Sequence, residues 1–355
     1  MKRRLFAGLA SCIFIQISIA QVTLNANESG NTYEDINAVL APGYNVIEVP
    51  DCNHAEFGRH IDELFDTELN ANVFRFIAHK TPDNDRCQNF DRQRTEIKTY
   101  DQSPDYLKAI AGEIVEYKWK FKLPSNFMVS PNFTHLHQIK SVGGPYASIP
   151  MLTLTARKAN PDRIELRYTP TTNQTTIETA NLDLFRGHWV EVTERITYGN
   201  EGHYSISIDR ISDNLSILNY INDAIDMWQD GADFARPKWG IYRSLINSDD
   251  LQDEVVLFNN FSIEEIEPLS LLDIELQNEE VLLFPNPTKN LVTFKNIEAK
   301  DYDHIRFYDS SGKDVPIFNR LNNNTLDVSD LAKGLYYINF IKSQKSVQTL
   351  KCIIE

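Results

Sequence analysis

Between Glu113 and Leu123 apolar and charged side chains alternate without a break. Val115, Tyr117, Trp119 and Phe121 take one set of positions, and Glu116, Lys118, Lys120 and Lys122 take the other. A period of two places these sets on opposite faces of a β-strand. One face is buried and the other wet, as in an antiparallel sheet that covers a core on one side only. Strand-like runs recur at residues 73–78, 151–157, 163–168, 189–198, 203–210 and 255–266, with turn-rich stretches such as 141–145 and 199–202 between some of them. Helix is expected only near 55–69 and 219–228. So many short strands over about 200 residues predict an all-β chain built as a two-sheet jelly roll.

The first twenty residues read as a secretory signal peptide. Lys2, Arg3 and Arg4 form a charged start, the stretch from Leu5 to Ile19 is mostly apolar, and Ser18-Ile-Ala20 supplies small residues before Gln21. No later run reaches the ~18 consecutive apolar residues that a membrane span needs. The formal charge is −15, nearly all of it outside the C-terminal segment, which is close to neutral. That balance argues against nucleic acid as a partner, because no domain-wide basic field exists to displace phosphate counterions. No heptad pattern points beyond a monomer.

Three cysteines lie beyond the signal: Cys52, Cys87 and Cys352. In an oxidising compartment Cys52 and Cys87 are placed to form a disulfide, closing a loop worth about 3 kcal/mol. No CxxC pair accompanies them, so their spacing does not suggest a metal site.

Residues 268–282 read as an acidic linker after a domain spanning 21–267, and a second small β-sandwich follows at 283–355. Its landmarks are Phe284-Pro-Asn-Pro-Thr288, then Ile305-Arg-Phe-Tyr-Asp-Ser-Ser-Gly312, then Asp327-Val-Ser-Asp-Leu-Ala-Lys-Gly-Leu-Tyr-Tyr-Ile338. In kind and order these motifs resemble the C-terminal sorting domain of the type IX secretion system of Bacteroidetes. The resemblance implies secretion or display at the cell surface, with the type IX machinery as a partner.

Three strands in the larger domain carry polar, partly cationic faces. Arg92, Arg94, Glu96 and Lys98 share one face of the first, and Lys238 and Tyr242 share one face of another. In His135-Leu-His-Gln-Ile-Lys140, strict alternation puts Thr134, Leu136, Gln138 and Lys140 together, with His135, His137 and Ile139 on the other side. Two histidines at i, i+2 can hold a metal, but no third ligand stands nearby in sequence. Gly240 within the third strand marks a close approach of another chain or of a ligand.

Together these segments resemble the concanavalin-like jelly-roll polysaccharide lyases. Arg94-Thr-Glu-Ile-Lys98, Gln138-Ile-Lys140 and Lys238-Trp-Gly-Ile-Tyr242 are similar to the three signature strands of the family 7 alginate lyases, with Lys98 replacing an Arg and Lys140 replacing a His. The longer wording, Asp91 to Lys98 with His137-Gln-Ile-Lys140, looks closer to the glucuronan lyases of family 20 and to heparin-lyase-type domains. The resemblance implies an anionic polysaccharide substrate cleaved by β-elimination, with no cofactor in the chemistry and a structural calcium as in relatives.

Elimination requires neutralising the C6 carboxylate, removing the C5 proton and protonating the departing O4. Gln138 and Arg94 are candidates for the first task and Tyr242 for the last. Lys140 is a candidate base. His137 is a second, provided that a bulge turns it outward. Arg92, Glu96, Lys98 and Lys238 would bind substrate around them. A non-catalytic carbohydrate-binding module is the main alternative. A jelly-roll glycoside hydrolase is disfavoured, because a Glu-x-Asp-x-x-Glu strand is absent.

Overall fold

The computed structural model describes residues 21–28, 30–266, 281–296, 302–310, 312–316, 321–322, 324–342 and 345–355. The expected signal peptide, and the expected linker up to residue 280, lie outside the described residues. The chain divides into two compact units, 1–268 and 269–355.

In the first unit the described strands are β1 (Gln21–Leu24), β2 (Ile47–Glu48), β3 (Ile61–Asp66), β4 (Ala71–Ala78), β5 (Arg92–Lys98), β6 (Ile114–Lys122), β7 (Thr134–Val142), β8 (Leu152–Arg157), β9 (Arg163–Tyr168), β10 (Thr175–Asn181), β11 (Trp189–Thr197), β12 (Gly202–Arg210), β13 (Leu215–Ile225), β14 (Phe234–Ser244) and β15 (Glu254–Ile266). They form two large antiparallel sheets. One runs β13-β12-β11-β6-β15-β4-β3, with β1 added on β15, and the other runs β10-β9-β8-β7-β14-β5-β2. This is an all-β, jelly-roll-like sandwich.

The core lies between the two sheets. The alternating residues of β6 supply Val115, Tyr117, Trp119 and Phe121 to it, while β7, β8 and β14 supply Leu136, Ile139, Leu152, Leu154, Trp239 and Ile241. Trp119 and Trp239 meet edge to face at 6.0 Å, tying the two sheets together.

The expected helices are not there. Residues 55–69 hold turns followed by β3, and 219–228 fall largely on β13. That edge strand has few buried positions (Leu218 and Ile225 among them) and carries Asn and Asp on its wet side, which obscures its period of two. The described α-helix is instead α1 (Thr32–Leu40), which buries Thr32, Ile36 and Leu40 at i, i+4, i+8.

The second unit is a smaller β-domain of two four-stranded sheets. Its core gathers Val292, Phe294, Phe307, Ile338, Phe340 and the free thiol of Cys352, whose pKa burial pushes up to about 11. The Pro-Asn-Pro segment is a clasp: Asn286 donates its side-chain amide to the Lys351 carbonyl and accepts from the Ile353 N–H. In the expected tight turn, the Gly312 N–H donates to the Asp309 carbonyl at 2.9 Å.

Candidate active site on the outer face of the second sheet

β5, β14 and β7 are hydrogen-bonded neighbours, so their register decides which side chains meet. Arg94 pairs with Tyr242 across β5–β14, and Tyr242 pairs with His135 across β14–β7. Two rungs along, Lys98, Lys238 and Gln138 form a second row. Between the rows Glu96 faces Gly240.

β7 carries the feature that strict alternation misses. Against β8 it holds one extra residue: His135 pairs with Thr155 and His137 with Leu154, with a break in register between them. A bulge of this kind lets two successive side chains point the same way. Leu136 and His137 therefore both enter the core. His137 Nε2 lies 2.8 Å from Glu194 Oε2 on the opposite sheet, and its ring lies 4.3 Å from that of Trp119. The bulge thus turns His135 outward. His137 sits on the interior face, remote from the other candidates, because Glu194 gives it a buried partner there.

The remaining sequence candidates share the outer face. The Arg94 guanidinium stacks on the Tyr242 ring at 3.6 Å and donates to Glu96 at 2.6 Å and Asp85 at 2.9 Å. Gln138 donates to the other oxygen of Glu96, and Lys238 bonds Glu96 at 2.9 Å and also pairs with Glu48. Lys98 bonds Glu48 at 2.8 Å. Arg92 donates to the Tyr242 hydroxyl at 3.2 Å and to Asp91 at 2.7 Å. The His135 ring stands 5.8 Å from that of Tyr242.

Burial opposes ionisation of Glu48, but Lys238, Arg94 and Lys98 outweigh it and hold its carboxyl well below the usual range. Glu96 behaves alike: burial is overcome by Lys238 and Arg94. Several cations of this face are thus neutralised from within by Glu48, Asp85 and Glu96. Lys140 differs. Its ammonium donates to the Ser148 carbonyl at 3.1 Å, and among the described residues it has no carboxylate within salt-bridge distance. Burial first, then the Lys238, Arg236 and Arg94 charges, push its pKa down to about 8. Its cross-strand partner is Arg236. His135 is pushed down to about 3, chiefly by burial, and is neutral at ordinary pH. Its Nδ1 has no hydrogen-bond partner.

Lys140 stands on the Gln138 side of the face and Tyr242 on the His135 side. Arg236, which faces Lys140, is six residues from Tyr242 along β14, about 20 Å at ~3.3 Å per residue. His135, beside Tyr242, is the imidazole that alternation alone misplaced. Glu48 and Asp85 were also missed, one on a two-residue strand and one in a loop. Only Arg236 carried a signal, standing in phase with Lys238 and Tyr242.

The floor between the two rows is taken by Glu96, whose carboxylate crosses β14 at Gly240 to reach Gln138 on β7. Gly240 has no side chain there, and the bulge sends both Leu136 and His137 inward. The φ of Gly240 is +146°, and a Cβ would overlap the Thr95 carbonyl oxygen and stand 2.7 Å from Glu96 Cα. Only glycine suits this position.

Two further features lie at the edge of this face. Cys52 and Cys87 form a disulfide. Close by, the ligand atoms of His54, His60, His79 and Asp83 all lie within 4.8 Å of one another, a group able to coordinate a metal ion. Three nitrogens and one carboxylate suit a borderline transition metal better than calcium, which takes oxygen ligands.

Residues 282–355 match the family described as the secretion system C-terminal sorting domain, which supports export to the cell surface or beyond. No curated protein sequence matches the chain. Among solved structures the chain is similar to an endo-β-1,4-glucuronan lyase from the fungus Trichoderma reesei, with 15% identity over 58% of this chain and 87% of that one, TM-score 0.43. A family 14 alginate lyase from Aplysia kurodai gives 13% identity over 71% and 100%, TM-score 0.47. An alginate lyase from Pseudomonas aeruginosa gives 13% over 62% and 97%, TM-score 0.42.

Proposed function

We propose that residues 21–267 form a polysaccharide lyase that cleaves a uronate-containing polymer by β-elimination. In this reading residues 283–355 direct export through the type IX machinery, 268–282 link the two parts, and the protein acts as a monomer. The observation that carries the reading is the row of Arg94, Tyr242 and His135 across β5, β14 and β7, with Gln138 and Lys140 on the same face. Glucuronan is the first candidate substrate, on the strength of the motif resemblance.

A uronate ring bound against Tyr242, His135 and Gln138 meets the groups that elimination needs. Gln138 offers the second N–H of its amide to the C6 carboxylate and makes the C5 proton more acidic. His135, a neutral imidazole beside Tyr242, takes that proton at Nε2. The electron pair left at C5 forms the C4=C5 double bond as the C4–O4 bond breaks, and Tyr242 gives its proton to O4. Glu96 is a positioning residue, since Arg94, Gln138 and Lys238 are all donors that it orients. Lys140, two residues and about 7 Å beyond Gln138 along β7, and Arg236 opposite it hold a carboxylate of the neighbouring uronate in the chain.

The deciding assay incubates the purified chain with glucuronan, alginate, heparin-type and ulvan-type polymers and follows absorbance near ~235 nm, where the unsaturated product absorbs; the signal tests the base-plus-acid chemistry directly. A rise with one of them is expected. Binding without absorbance would make this a carbohydrate-binding module, and new reducing ends without absorbance would make it a hydrolase.

A further inference from the structure

We infer that His54, His60, His79 and Asp83 form a closed structural site for a zinc-class divalent ion. The site fastens to the sandwich the loop that carries Asp85. Its residues belong to no part of the elimination machinery above.

The four ligand atoms, all within 4.8 Å of one another, lie close to the arrangement of a tetrahedral cage. Donors about 2.0–2.1 Å from a tetrahedral centre stand about 3.3 Å from one another. His54 Nδ1 is 2.9 Å from Asp83 Oδ1, His60 Nε2 is 3.2 Å from the same oxygen, and His79 Nδ1 is 3.1 Å from Oδ2. His60 adds the supporting contact that zinc-bound imidazoles show. Its other nitrogen, Nδ1, lies 2.7 Å from Asp51 Oδ1, and Tyr33 donates to the second oxygen of Asp51 at 2.9 Å.

The surroundings are apolar and rigid. The Phe57 ring covers the group, 4.3 Å from His79, 4.9 Å from His60 and 5.3 Å from His54. His60 immediately precedes β3 and His79 immediately follows β4, two paired strands. The Cys52–Cys87 disulfide joins the turn of His54 to the loop of Asp83. Four protein donors leave no open position for a reacting water, so the site is structural. Two residues beyond Asp83, Asp85 receives Arg94. An ion at Asp83 would hold that carboxylate in place.

The untagged full chain, stripped by a chelator and returned to metal-free buffer, is titrated with zinc chloride alone. One zinc per chain should survive desalting, and saturating zinc should raise Tm by about 5 °C or more. Cobalt(II) in its place should give the intense visible absorption of a tetrahedral ion, and calcium should leave Tm unchanged. His54→Ala combined with His79→Ala should abolish retention; both side chains are partly exposed, and circular dichroism checks that the fold survives. Asp51→Asn should weaken zinc about 10-fold or more through His60 alone. No retained zinc and no Tm shift in the unmodified chain would overturn the site. So would calcium matching zinc, or the double variant keeping its ion.

Discussion

The guanidinium carbon of Arg94 lies 3.6 Å from the centroid of the Tyr242 ring, its register partner on the next strand. A cation stacked this closely fixes the ring plane, and Arg92 fixes the hydroxyl direction. Tyr242→Phe keeps the stacked ring and removes only the proton. Turnover should fall at least about 100-fold with little loss of binding. Absorbance kinetics and calorimetry check this, and a variant of near-normal rate would remove Tyr242 from the chemistry.

Arg94 also answers for stability. It is 9% exposed and bonds Asp85 and Glu96, themselves almost wholly buried. Arg94→Ala leaves Glu96 to Lys238 and Asp85 to Arg86 alone among cations, at a cost of about 1–3 kcal/mol. Arg94→Lys should recover only part of it, since an ammonium cannot span both partners in the same plane. Urea unfolding at neutral pH measures both.

Lys140 separates clamp from base. Its folded pKa of about 8 lies below the ~10.4 of an unfolded chain, so between those values the unfolded state binds more protons and stability rises with pH. Lys140→Met should flatten that rise. In catalysis the clamp role predicts that KM climbs as pH passes about 8 while kcat holds, and that Lys140→Arg carries the climb to higher pH. A collapse of kcat in Lys140→Arg at unchanged KM would instead make Lys140 the base.

His135 gives the opposite limb. Its folded pKa of about 3 lies below the ~6.5 of an unfolded histidine. Its contribution is complete above pH ~6.5 and is lost as pH falls towards 3. Thermal melts across that range should show a shallower acid decline in His135→Phe than in the parent. The same variant should lose about 100-fold or more in kcat.

Gly240→Ala tests the floor. The added methyl meets the Thr95 carbonyl and the Glu96 backbone, so β5 and β14 must part. Loss of about 1–3 kcal/mol is expected, together with impaired turnover. An alanine variant of parental stability and rate would mean that the close approach of β5 at Gly240 serves no purpose.

Much of this was readable from the sequence. Strand 92–98 shows its polar face by simple alternation, and the pairing of Cys52 with Cys87 followed from compartment and count. The side on which each histidine falls was not readable. It depends on one unmatched residue of β7 against β8, and on Glu194 waiting across the core for His137. Glu48 lay beyond reach for another reason. Its two-residue strand shows no period, and its meaning comes from lysines and arginines 38 to 190 positions away. The helix at Thr32–Leu40 was not expected, although Thr32, Ile36 and Leu40 share a face and Gly30-Asn31 and Pro42-Gly43 punctuate its ends.

Glu48 also bears on any shortened version of this protein. It meets Arg86, Arg94, Lys98 and Lys238, yet it enters from the edge of the sheet, ahead of the first motif strand. A fragment trimmed to begin at β3 would retain every signature residue and still leave those four positive groups crowded without their shared counter-ion. The boundary for expressing an active piece therefore belongs well upstream of where the recognisable motifs start.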